Sequence, residues 1–262
     1  MSAPNGLRAP TAADFRARHR GGGLFTETVN QRLASYVCVV AHRIGAPPTA
    51  LTLLNLGLGL GASIGVAALA PRMAAGGVPP VVAGLGALLL WQVAYTLDCA
   101  DGQLARVTGR TSPAGARVDV LCDVALQISL VAAVSAVAAA YHPVPVWLVA
   151  AFAGTWMVNL VTSVMAQGAA AQSLVTSRSP LVRAVKLVRD YGAVVTVLAL
   201  AIAFVPRWTI WVLVAFTLVN GLFLVASIAA AAQASLAAPP ATAPAAPARQ
   251  RPARTPAPPA GG

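Results

Sequence analysis

Four aspartates in one short window carry the residue types and spacing for catalysis. Residues 98–123 read DCADGQLARVTGRTSPAGARVDVLCD and hold Asp98, Asp101, Asp119 and Asp123, four of the seven acidic residues in the chain. Asp98 and Asp101 are three apart and Asp119 and Asp123 four apart, so on helices each pair occupies one face. Two helices meeting through those faces would bring four carboxylates to one point, and their repulsion demands cations. All-oxygen ligands select hard divalent ions such as Mg²⁺ or Mn²⁺. The helical rise sets Asp98 and Asp101 about 4.5 Å apart along the axis, which suits two ions roughly 3.5–4 Å apart. Gly102 and Gly115 leave room for a ligand to approach the backbone.

Long apolar runs flank this window on both sides. The chain has 262 residues, 58% of them hydrophobic and 10% charged, with a mean hydropathy of +0.74. That composition describes a polytopic membrane protein rather than a soluble domain. Carboxylates at a membrane helix end are costly unless something positive compensates them, which makes them functional candidates. The expected fold is all-α, with six transmembrane helices and an N-terminal amphipathic interfacial helix. Spans are expected at about 50–70, 81–97 (continuing as helix to Arg106), 115–140, 146–169, 191–205 and 208–232. The loop 107–114 carries Thr, Gly, Ser and Pro turn chemistry.

Four segments follow from this reading. Residues 1–23 are polar and read as a disordered tail. Residues 24–46 read as an amphipathic helix in the membrane interface, with Leu33, Tyr36, Val37, Val40 and Ile44 at helical spacing. Residues 47–236 form the six-helix catalytic domain, and 237–262 a disordered Pro/Ala-rich tail. Pro47 and Pro48 stop the interfacial helix, and Thr49 is placed to cap the first span. Within that span Gly57, Gly61 and Gly65 form a small-residue face for a neighbouring helix.

The formal net charge of +11 does not point to nucleic acid, because the arginines fall in short segments between apolar runs. Arg32, Arg43, Arg106, Arg110, Arg117, Arg178, Arg183, Lys186, Arg189, Arg249, Arg251 and Arg254 share one side; the opposite loops hold Arg72 and Arg207. The positive-inside rule puts that richer side, with both termini and the aspartate window, in the cytoplasm. Cys38, Cys99 and Cys122 form no disulfide framework and read as small apolar filling. His19, His42 and His142 are scattered and read as interfacial. No cleavable leader is expected, since no apolar core precedes residue 33.

The window resembles the signature of the CDP-alcohol phosphotransferases, D-x2-D-G-x2-A-R-x8-G-x3-D-x3-D. Asp98, Asp101, Gly102, Ala105, Arg106, Gly115, Asp119 and Asp123 carry it. The alternative, acids merely pairing with local arginines at a membrane edge, leaves eight matched positions unexplained. The resemblance implies attack of an alcohol on a CDP-linked donor, most often CDP-diacylglycerol, with release of CMP. It implies two Mg²⁺ or Mn²⁺ ions on Asp98, Asp101, Asp119 and Asp123, with Asp123 also the general base. Nucleotide contacts carry over to Gly102, Ala105, Arg106, Ser112 and Gly115, and to the segment opening the first span, Thr49 and Thr52. The usual residue at position 49 is Asn or Asp, a departure here.

The acceptor stays open among glycerol phosphate, inositol phosphate and serine. Arg178, Arg183, Lys186 and Arg189 could bind a phosphate on it or simply mark the positive side. A polar donor such as CDP-inositol is the alternative within the same chemistry, and a homodimer is left open. A carboxylate-based ion transporter is the reading from a different class, but it would place acids near the midplane on broken helices. The expected setting is a bacterial plasma membrane, with the site at its cytoplasmic face.

Overall fold

The computed structural model describes residues 8–19, 22–166 and 190–237. All regular structure among them is helical. After a short helix α1 (Ala12–Arg16), a π-turn (Thr26–Asn30) runs into α2 (Gln31–Arg43). There follow α3 (Pro48–Ala74), α4 (Pro80–Thr108), α5 (Pro113–Tyr141), α6 (Val146–Ala166), α7 (Tyr191–Phe204) and α8 (Thr209–Ala237). The chain divides into two units, 1–224 and 225–262. The described part of the second is the end of α8, and the site lies in the first.

Among the described residues, four helices are long and apolar enough to cross a membrane: α3, α4, α5 and the stretch Pro206–Ala229. Val146–Val158 and Tyr191–Phe204 are also apolar but shorter. Three of the long helices begin in the same way, with Pro at the first position, where its missing N–H costs no hydrogen bond. α4 stops at Gly109, which takes the left-handed conformation at φ +68° and returns its N–H to the Ala105 carbonyl. Ser112 then caps α5, its Oγ accepting from the Gly115 N–H at 3.0 Å. The turn joining the two aspartate helices therefore occupies only 109–112.

The core lies where α3, α4, α5 and α7 pack together. Trp91, Leu130, Val134, Val137, Leu198 and Ile202 are buried there, and Trp156 stacks on Phe216 with ring centroids 4.5 Å apart. The indole nitrogens of this core are tied off: Trp91 Nε1 donates to Ser63 Oγ at 3.1 Å, and Trp156 Nε1 to Gln127 Oε1 at 3.1 Å. A second cluster, built from Phe15, Ala34, Cys38, Ala41, Leu97, Ala100 and Leu104, joins α1 and α2 to α4.

Three expectations are corrected. The segment 1–23 contains α1, because Thr11 and Asp14 form a reciprocal cap, with the Thr11 N–H donating to the Asp14 carboxylate at 2.7 Å. Phe15 then buries completely. The first span begins two residues earlier than read: Pro47, not Thr49, is its cap, and Thr49 is exposed on its first turn. The stripe Gly57, Gly61 and Gly65 faces open space among the described residues, whereas a side chain at Gly59 would collide with Leu126. Close approach of α5 thus falls on the glycine outside the four-residue repeat.

α2 presents its small and polar face inward and its large apolar side chains outward. Gln31, Ala34, Ser35, Cys38 and Ala41 are buried, while Leu33, Tyr36, Val40 and Ile44 are all more than half exposed. The π-turn segment that leads into α2 is fastened to the start of α7 by Asp190. That buried carboxylate accepts the N–H groups of Phe25 at 2.8 Å and Thr26 at 3.0 Å, and the Thr26 hydroxyl. A carboxylate on unpaired helix N–H groups also meets the positive end of the helix dipole.

Candidate active site

The site is built from three helices. α4 supplies Asp98 and Asp101, α5 supplies Asp119 and Asp123, and α3 packs against both. Asp98, Asp101 and Asp119 each offer a carboxylate oxygen, and these three atoms lie within 4.8 Å of one another. Asp101 is buried and the other two half-buried. Asp123, one turn after Asp119, lies beside Asp98 and outside that group of three. A convergent, all-oxygen donor set of this size fits a hard divalent cation, so the residues suit the metal expected from the sequence.

α3 holds the carboxylates from behind. Thr52 Oγ1 donates to Asp101 Oδ2, and Asn55 Nδ2 donates to Asp98 Oδ1 at 3.1 Å. Both residues are buried and stand three apart, on one face of α3. Thr52 is expected from the sequence at the nucleotide; the structure places its hydroxyl on a cluster carboxylate. Asn55 escapes the sequence reading altogether. The available signal is a carboxamide, costly to leave unpaired in an apolar span, one turn beyond Thr52.

The remaining residues of the pattern lie on the same end of the bundle. Arg106 sits one turn after Gly102, and its guanidinium covers that glycine: an added Cβ would lie 2.9 Å from Nη1. Ala105 is half-buried on α4 and Gly115 half-buried on α5, while Ser112 is exposed at the α5 cap. Thr49, also exposed, is one turn before Thr52. Arg178, Arg183, Lys186 and Arg189 lie outside the described residues.

A family model of CDP-alcohol phosphatidyltransferases matches residues 45–219. The chain belongs to that family. A comparison with curated proteins gives no match. Membership carries the reaction class: CDP-alcohol phosphatidyltransferases move a phosphate-containing group from a CDP-alcohol to an alcohol, and the family is metal-dependent. The matched region opens before α3 and contains every carboxylate of the cluster and both of its α3 supports. Helices α1 and α2 lie outside it.

The α3 supports give a first prediction. Hydrogen bonds that orient metal ligands typically matter by about 10- to 100-fold. Thr52→Val removes the donor at nearly constant volume, so CMP release should fall by about that factor with no change in thermal stability above a few degrees. Wild-type turnover in Thr52→Val would remove Thr52 from the site.

Proposed function

We propose that this protein is a membrane phosphotransferase of phospholipid biosynthesis, moving a phosphatidyl group from CDP-diacylglycerol to an alcohol acceptor and releasing CMP. The observation that carries it is the convergence of Asp98, Asp101 and Asp119 at the end of long apolar helices. A lipid-linked donor can reach such a site from the bilayer, and a soluble acceptor from the aqueous side. A polar donor such as CDP-inositol is the alternative with the same chemistry.

Asp98, Asp101, Asp119 and Asp123 would hold the divalent ions, Mg²⁺ or Mn²⁺, two in number. Bound there, they neutralise charge on the diphosphate. Thr52 and Asn55 fix two of the carboxylates. Arg106, across Gly102, offers its terminal nitrogens to the donor's phosphates; Ala105, Gly115, Ser112 and Thr49 complete the nucleotide contacts. Asp123 stands outside the tight group of three, which suits a role in orienting the acceptor hydroxyl and taking its proton.

Six spans, with α6 and α7 crossing alongside the four longer helices, complete the proposed topology. α2 lies in the interface with Leu33, Tyr36, Val40 and Ile44 toward the acyl chains. Both termini and the site face the cytoplasm, as the arginine distribution supports. Thr111, exposed in the α4–α5 turn, tests this. Thr111→Cys should react with an impermeant maleimide in inside-out vesicles but not in intact cells. The native thiols are buried, and burial pushes the Cys38 thiol up to about 12, so they stay silent. Labelling from outside would reverse the topology.

The test of function is product identification by mass spectrometry, with CDP-diacylglycerol or CDP-inositol offered against a panel of alcohols. We expect a phosphodiester lipid and CMP from CDP-diacylglycerol; turnover of CDP-inositol alone would favour the alternative. Arg178, Arg183, Lys186 and Arg189 would serve an acceptor carrying phosphate. Arg178→Ala or Arg183→Ala should then raise the acceptor's KM about ten- to a hundredfold, the size of one charge-assisted hydrogen bond, and leave the donor's KM unchanged. Equal effects on both substrates would leave these residues as positive-side markers, and serine would become the favoured acceptor.

A further inference from the structure

The nucleotide arginine is held by a part of the chain that lies outside the matched region. Arg106 Nε donates to the main-chain carbonyl of Arg18 at 2.6 Å. That carbonyl is free to accept because Arg18 lies just past the end of α1, where helix carbonyls lose their intrahelical partners. The turn that presents it is itself tied down: Arg18 N–H returns to the Phe15 carbonyl at 3.0 Å and His19 N–H to the Arg16 carbonyl at 3.2 Å. Below it, Phe15 is fully buried, set among Ala34, Cys38, Ala41 and Leu104 and tilted against His42 with ring centroids 6.2 Å apart.

The guanidinium is held at its inner end. Nε is engaged by the main chain, while Nη1 and Nη2 lie over Gly102, next to Asp101 on α4. An arginine with its inner nitrogen fixed keeps its outer fork pre-organised for an oxyanion. An exposed arginine without such a hold would spend binding energy on freezing its rotamers.

We propose that residues 8–19 are part of the nucleotide site. Phe15 anchors α1 on α2 and α4, α1 sets the Arg18 carbonyl, and that carbonyl positions the Arg106 fork for the diphosphate of the CDP-linked substrate. Phe15 and Arg18 are positioning residues here, acting through Arg106. The inference rests on the functional reading above, and it adds an element that the family match, beginning at residue 45, does not contain.

The test is a double-mutant cycle read by binding rather than turnover, using CDP and Mn²⁺ with the full-length protein in detergent and isothermal titration. Phe15→Ala should weaken CDP about tenfold in the wild-type background and have no effect in an Arg106→Ala background, because the two act as one unit. Equal weakening in both backgrounds would mean that Phe15 only supports the fold, and unchanged or tighter binding would mean that the segment does not serve Arg106; either overturns the inference. Should Phe15→Ala fail to fold, Phe15→Leu enters the same cycle, and its outcomes carry the same meaning at a smaller amplitude. Wild-type protein that does not bind CDP overturns the functional reading itself, and this inference with it.

Discussion

Asp101→Asn should lower CMP release by about a thousandfold or more. Asp101 is 6% exposed, is held by Thr52, and contributes to the three-carboxylate group. Asparagine keeps the shape but removes one negative charge and turns half of the ligand into a donor. A catalytic metal supplies several kcal/mol of charge stabilisation; about 4 kcal/mol corresponds to roughly a thousandfold. Asp98→Asn and Asp119→Asn should behave alike. Asp123→Asn should cost about 10²- to 10⁴-fold, as expected for loss of a proton acceptor. Steady-state CMP release is the measurement, and a rate within about threefold of wild type, under 1 kcal/mol, removes the tested residue from the site.

The second large effect concerns the fold. α4 meets α7 at Gly84, where an added Cβ would lie 2.5 Å from the main-chain nitrogen of Ala203 and 2.6 Å from its Cα. These atoms belong to a helix backbone and cannot rotate away. Gly84→Val must separate α4 from α7, loosening the buried contacts of Val195, Leu198 and Ile202. Overpacking of this kind typically costs about 1–3 kcal/mol or more, so a clear fall in thermal midpoint in detergent is expected. Gly86→Val, two residues on, meets nothing within 4 Å and should leave the midpoint within a few degrees. Equal midpoints for the two variants would contradict this packing of α4 on α7.

Helix existence and type are legible in the sequence because hydropathy runs and proline positions report local physics. Helix through Arg106 and a turn before Gly115 are both readable there, and α4 and α5 meet that description. Faces are harder. Residues 24–46 show a helical period, but the period alone does not reveal that the apolar stripe points away from the protein. The glycine stripe misleads for the same reason: small residues permit close contact, and only the neighbours decide whether contact occurs. Gly59 stands outside the repeat, yet it is the glycine that Leu126 fills against.

The carboxylate cluster is legible because Asp is rare here and its spacing is helical. Its supports are not. Asn55 carries no charge, and its value lies in a hydrogen bond to a residue 43 positions away. Asp190 ties down Thr26 across 164 positions, and no local signal encodes such a pairing. α1 escapes notice because its stability comes from a single buried phenylalanine and a cap, in a segment of otherwise polar composition.

The central claim is that these carboxylates make phosphotransfer depend on a divalent ion. The direct measurement is CMP release from CDP-diacylglycerol with an alcohol acceptor, by purified protein dialysed against EDTA and then titrated with Mn²⁺ or Mg²⁺. Turnover should disappear in the chelator and return with the metal in the wild type, but not in Asp101→Asn. Undiminished turnover in excess EDTA after exhaustive dialysis would contradict the claim.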